Sequence, residues 1–182
     1  MTREHSALVC NLPPGVGDRL LGDAALASEL LFDISKIDLN AVALSPERVA
    51  ELTPQRGAMR QLDYVIWRTQ DASQGLGVKH VRDDEFWVPG HIPGRPLMPG
   101  VMMLEACAQL CGVLHRLRAG DERFIGFARC NDTAFRGQVV PGDTLYLLAK
   151  EASYRPRRFV SAAQGVVNGK LVFEAKITGM AM

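Results

Sequence analysis

The chain has 182 residues, 47% of them hydrophobic and 23% charged, with a formal net charge of +1. That length allows one domain with a sizeable core, or one domain plus an extension. The near-neutral balance excludes a whole-molecule electrostatic attraction to nucleic acid or to a membrane surface.

Residues 1–44 read as an N-terminal extension and 45–182 as the main domain. The opening stretch, Met1-Thr2-Arg3-Glu4-His5-Ser6-Ala7, lacks the apolar core and small-residue cleavage site of a signal peptide. Pro13-Pro14-Gly15-Val16-Gly17 is a breaker cluster, and residues 24–32 fit a short amphipathic helix. Residues 1–40 are expected to pack on the outer face of a sheet or at a dimer edge. Ser45-Pro46-Glu47-Arg48 carries a helix start signal, with Ser45 as N-cap and Pro46 in the first turn. Strand-like segments follow at 62–68, rich in β-branched and aromatic residues, and at 73–81, which alternates.

The next stretch holds the candidate chemistry. A loop, Gly90-His91-Ile92-Pro93-Gly94-Arg95-Pro96-Leu97-Met98, leads through Pro99 and Gly100 into a helix over roughly 99–118 made almost wholly of small and apolar residues. A helix apolar on every side reads as buried, and a charge on it is costly unless paired or neutralised. Glu105 is that charge, and His91 is its natural working partner. Ala119-Gly120-Asp121 ends the helix. The apolar run is too short and too polar for a membrane span. Four strands are expected after it, at 124–135, 144–154, 159–167 and 171–178. Val140-Pro141-Gly142-Asp143 turns between the first two, and Asn168-Gly169 makes a tight hairpin between the last two. The order predicts an α+β domain in which an antiparallel sheet of about six strands wraps one long helix.

The four cysteines form no C-x-x-C pair, so neither a zinc site nor a disulfide framework is expected. Cys107 and Cys111 look like small core residues, and reduced thiols suit a cytoplasmic protein.

The segment Gly90-His91-Ile92-Pro93-Gly94-Arg95-Pro96, then Pro99-Gly100, Glu105-Ala106 and Ala108-Gln109, resembles the active-site region of the 3-hydroxyacyl-[acyl carrier protein] dehydratases, the FabZ/FabA family. The family pattern there is approximately G-H-F-P-G-x-P-x-x-P-G-x-x-x-x-E-A-x-A-Q, and only Ile92 departs from it. Phe135-Arg136-Gly137-Gln138-Val139-Val140-Pro141-Gly142-Asp143 resembles the family's F-x-x-x-V-x-P-G-D turn. The resemblance spans roughly residues 50–180. It implies a hotdog fold and a homodimer with its sheets joined edge to edge, with a trimer of dimers as a further assembly. It implies two sites at the interface, each pairing His91 with Glu105 of the partner subunit. It also implies an acyl carrier protein thioester as substrate, or a coenzyme A thioester. Glu at position 105 resembles the FabZ branch, which dehydrates without moving the double bond. One stretch departs: Leu52-Thr53-Pro54-Gln55-Arg56-Gly57-Ala58-Met59 lies where relatives often have L-P-H-R-x-P-F-L, so Gln55 replaces a usual His.

Removing water from a 3-hydroxyacyl thioester requires a base, a stabiliser for enolate-like charge, and an acid. His91 suits the first because imidazole titrates near neutrality. The helix N-terminus at Gly100 suits the second. Glu105, a carboxyl group in apolar surroundings, suits the third. Gln109, one turn on, either orients Glu105 or satisfies a backbone group. Met98, Pro99, Val101 and Gly94 are the candidate substrate-side residues, with core packing the alternative for Met98, Met102 and Met103. The alternative for Glu105 is a structural ion pair with Arg95. Arg155, Arg157 and Arg158 form either a solvated turn or a docking point for an acidic carrier. No cofactor or metal is required. Two other functions share the fold: acyl-thioester hydrolysis, and non-catalytic binding of acyl chains or a carrier.

Overall fold

The computed structural model describes residues 30–120 and 122–182. Ser45 opens the first helix, α1 (Pro46–Leu52), with its hydroxyl accepting the Arg48 N–H at 3.3 Å. Strands β1 (Tyr64–Arg68) and β2 (Gln74–His80) precede the long helix α2 (Gly100–Ala119), which ends at Gly120 in the left-handed conformation, φ 66°. Strands β3 (Ile125–Phe135), β4 (Thr144–Arg155), β5 (Arg158–Val167) and β6 (Lys170–Ala181) follow. Asn168 and Gly169 both have positive φ, 49° and 74°, as the tight β5–β6 turn requires. All pairings are antiparallel, in the order β1-β2-β4-β5-β6-β3. The expected α+β architecture, six strands around one helix, is borne out. The helix expected over 24–32 lies largely outside the described residues, and residues 30–32 are not helical.

The sheet curls over α2, whose Ala106, Cys107, Leu110 and Val113 are fully buried. On β2 two glycines leave room for the neighbours packed on them: a Cβ on Gly75 would lie 2.9 Å from Leu114 of the helix, and one on Gly77 2.7 Å from Leu62 and 3.4 Å from Leu110 of the helix. One stripe of α2 escapes cover. Val101, Leu104, Glu105, Ala108 and Gly112, spaced at helical intervals, are all partly or fully exposed, with Val101 at 65%. The helix is therefore not wrapped on every side by its own chain, and Glu105 is half-buried where the sequence predicts a buried carboxylate. Among the described residues, no helix is long and apolar enough to cross a membrane.

The opposite face of the sheet is apolar too. Ile66, Leu76, Val78, Leu148 and Val166 form a second core there, and Leu30, Leu31, Phe32, Ile34, Ile37 and Ala41 pack over it. The described part of the extension thus lies on the sheet's outer face. Leu31 N–H donates to Gln164 Oε1 at 2.9 Å, and Leu44 bridges to Val65.

One buried ion pair closes the inner face beside the loop that follows β2. Lys79, fully buried, reaches Glu85 Oε1 at 2.6 Å, and Arg82 approaches the same oxygen at 3.3 Å. Breaking such a pair strands a charge, whereas replacing both partners by apolar groups is often tolerated. Lys79→Met should therefore lower stability by about 3–5 kcal/mol, and Lys79→Met/Glu85→Leu should recover most of that loss in urea denaturation. Equal losses in the single and double variants would contradict this account.

Candidate active site

The His91 loop is built outward from the Lys79–Glu85 pair. Glu85 C=O accepts the Val88 N–H at 2.9 Å, and Trp87 C=O accepts the His91 N–H at 2.8 Å. The imidazole is exposed, and its Nδ1 lies 2.8 Å from Leu97 C=O. A carbonyl only accepts, so Nδ1 is the donor of this bond, and in a neutral imidazole so bonded Nε2 holds the lone pair. The loop's far end is tied down by Met98 N–H to Val139 C=O at 2.8 Å. Arg95 donates to Gln138 Oε1 at 3.3 Å rather than pairing with Glu105.

His91, Met98, Pro99, Gly100 and Val101 surround one cavity of about 370 Å³, with Phe135 and Gln138 on the opposite wall. Gly94 lies outside it, at a turn with φ 77°. Met98 is buried at 1% exposure and Met103 at 3%, so both serve the core as well as the cavity wall. Pro99 precedes α2 and no side chain caps the helix. A helix start leaves its first N–H groups without intrahelical partners, and Gly100 and Val101, the first two residues of α2, line the His91 cavity. Gly100 has a second constraint that spacing alone does not reveal. A Cβ there would lie 2.6 Å from the Phe135 ring, which stacks on Phe173 at 5.5 Å.

Glu105 and Gln109 line a different cavity of about 510 Å³, together with Gln55, Arg56, Ala108, Phe124, Phe127 and Ile177. That volume is in the range of small-molecule sites. Gln109 is buried and fully paired. Its Oε1 accepts the N–H groups of Gln61 and Leu62 at 2.9 and 3.1 Å. Its Nε2 donates to Met59 C=O at 2.7 Å and to Glu105 Oε1 at 2.8 Å. Gln109 therefore satisfies backbone groups and also contacts the carboxylate. Gln55, noted in the sequence only as a departure, also donates to Glu105 Oε1, at 3.3 Å.

Within one chain, therefore, the sequence-predicted residues fall into two groups. Among the described residues, none lines both the His91 cavity and the Glu105 cavity. They lie at opposite ends of β3: Phe124 to Phe127 border the Glu105 side, and Phe135 borders the His91 side. The thiols within α2 take no part. Burial pushes Cys111 up to about 12 and Cys107 well above the usual thiol range, which keeps both neutral. His80 and His115 are structural: His80 contacts Tyr64 and Thr144, and His115 is buried between Tyr154 and Phe159.

A family model for the FabA-like domain matches residues 53–176. A 3-hydroxyacyl-[acyl-carrier-protein] dehydratase FabZ of Syntrophotalea carbinolica is 36% identical over 134 residues, covering 71% of this chain and 88% of that protein. The FabZ of Clostridium acetobutylicum is 35% identical over 143 residues, covering 76% and 99%. Among solved structures, the dehydratase heterocomplex ApeI:P from Xenorhabdus doucetiae superposes with a TM-score of 0.64 at 15% identity, covering 74% of this chain and 90% of that one. A hypothetical thioesterase with coenzyme A from Streptococcus pneumoniae gives 0.52 at 10%, covering 65% and 84%. These distant structures establish the shared fold alone. The family match over most of the domain, with the two FabZ relatives, decides the affiliation: the chain belongs to the FabA-like family of hotdog proteins.

Proposed function

We propose that this protein dehydrates (3R)-3-hydroxyacyl-[acyl carrier protein] to the trans-2-enoyl thioester in fatty-acid or related lipid synthesis, working in the cytoplasm as a homodimer. The observation that carries the reading is the placement of the two half-sites at opposite ends of β3. That strand is one of the sheet's two outermost strands; the other, β1, is bridged at Val65 by Leu44, whereas the outer edge of β3 has no partner among the described residues, a state that native sheets cover or pair. It also carries exposed Phe127 and Phe135, both at 51%. Two copies joined β3 to β3 about a two-fold axis run antiparallel. The start of one strand then meets the end of the other, which brings the His91 cavity of one protomer to the Glu105 cavity of its partner. The bare stripe of α2 would be covered by the same contact.

In such a site Nε2 of His91 takes the proton from C2 of the acyl thioester. The electrons move onto the thioester oxygen, where amides at the start of α2, Gly100 foremost, meet the growing negative charge. They then return to form the C2=C3 bond as the C3–O bond breaks. The partner's Glu105 protonates the departing hydroxyl, which leaves as water. Gln109 holds the acid in place. Met98, Pro99 and Val101 form the substrate-side wall, with Gly94 shaping the loop outside the cavity. The carrier is an acyl carrier protein, with coenzyme A thioesters as the smaller surrogate.

Hydration of crotonyl thioester, followed by loss of absorbance, should fall by about 10²-fold or more in His91→Ala and in Glu105→Gln. Thiol release measured in parallel should stay at background, and release in place of hydration would turn the reading to a thioesterase. Co-expressing the two inactive variants should restore about a quarter of wild-type activity, since half the dimers would hold one intact site. Failure to complement, with mixed dimers verified by mass, would place both residues of a site on one chain. Gly100→Ala should be destabilised by the Phe135 contact, and Phe135→Ala should relieve that. If activity stays low in the stable double variant, close approach to the Gly100 amide is needed for turnover.

A further inference from the structure

The acid of the proposed site has two oxygens, and the protein treats them differently. Gln109 Nε2 donates to Oε1 of Glu105 at 2.8 Å and Gln55 Nε2 donates to the same oxygen at 3.3 Å. An oxygen facing two N–H donors is committed as an acceptor and is a poor place for a proton. The Gln55 amide has nothing else to orient it. Its own Oε1 is buried and has no partner, an unmet acceptor that a protein normally avoids. The side chain is thus turned by its contact with Glu105, and it forgoes a bond of its own to make it. Gln109, by contrast, is fixed by three further bonds to the backbone.

We propose that Gln55 is a positioning residue for Glu105: with Gln109 it commits Oε1 to accepting, so that the proton given to the departing hydroxyl is carried on Oε2. The proposal rests on the dehydratase reading above. Both donors are neutral amides, so the carboxyl group is held without a positive charge bonded to it. The charged groups bordering the same cavity are Glu51 and Arg56 beside α1, Arg116 on α2, and Glu122 before β3. Arg56 is turned back onto its own backbone, donating to Thr53 C=O and Gln55 C=O at 2.7 and 2.8 Å. Arg116 is likewise engaged, with Leu52 C=O and Glu122 C=O at 3.1 and 3.3 Å.

The test separates donation from shape. Gln55→Glu keeps the outline of the side chain but loses the N–H, Gln55→His keeps an N–H donor in a different outline, and Gln55→Leu keeps neither. Each full-length variant is assayed for crotonyl-thioester hydration beside the wild type, with its melting temperature measured. Gln55→Glu and Gln55→Leu should lose about tenfold or more in kcat through misplacement of the acid, with KM unchanged, and Gln55→His should keep most of the wild-type kcat. A merely structural Gln55 would group the variants by shape, with Gln55→Glu near wild type and Gln55→His beside Gln55→Leu. That grouping, wild-type kcat in all three, or loss that follows melting temperature alone, would overturn the proposal. Absence of hydration by the wild type, or full activity in Glu105→Gln, would instead overturn the dehydratase reading itself.

Discussion

The exposed edge of β3 is the constraint on which the rest of this molecule depends. At the other end of the sheet β1 is bridged at Val65 by Leu44, yet among the described residues the outer edge of β3 and one stripe of α2 are left open together. The chemistry-bearing residues follow the same division. His91 and the start of α2 gather at one end of the open edge, and Glu105 with its two amides at the other. In the dimer proposed above, the pairing that satisfies the backbone of β3 is also the pairing that brings these two groups of residues together.

Each half is held by a different kind of interaction. The His91 half hangs from a buried charge pair, Lys79 with Glu85, and from main-chain bonds that hold the loop and orient the imidazole. The Glu105 half is held by neutral amides, with Gln109 binding the 59–62 segment and the carboxylate in one set of four bonds. In the proposed reaction the base needs an orientation, which the bonded loop supplies. An acid that must part with its proton is better served by neutral donors than by a cation, which would favour the ionised form.

Much of this was legible in the sequence, where the signals are local. Ser45-Pro46 marks a helix start, Asn168-Gly169 a hairpin, and the apolar run from Val101, interrupted at Glu105 and Gln109, the central helix, and all three stand where expected. The His91 loop and Glu105 are legible because their chemistry is unusual for their surroundings. What escaped detection is non-local. Nothing near Gly100 in sequence announces that the Phe135 ring covers it, and nothing near Lys79 or Glu85 announces that the fold brings them together inside. Glu105 was expected to be buried because the helix is apolar all round. The single chain leaves it half-exposed because part of that apolar surface faces away from its own sheet. Gln55 stood out as an odd substitution, but only three dimensions reveal that it touches the acid.

The outer wall of the sheet has a consequence for how the chain can be handled. Ile66, Leu76, Val78, Leu148 and Val166 are as aliphatic as the inner core, and residues 30–41 are what shields them from water. In a domain of this kind the leader is usually the first thing trimmed. Here a cut at Ser45 would uncover a greasy plane next to an already open strand edge, and two sticky surfaces on one small body favour runaway clumping over orderly pairing.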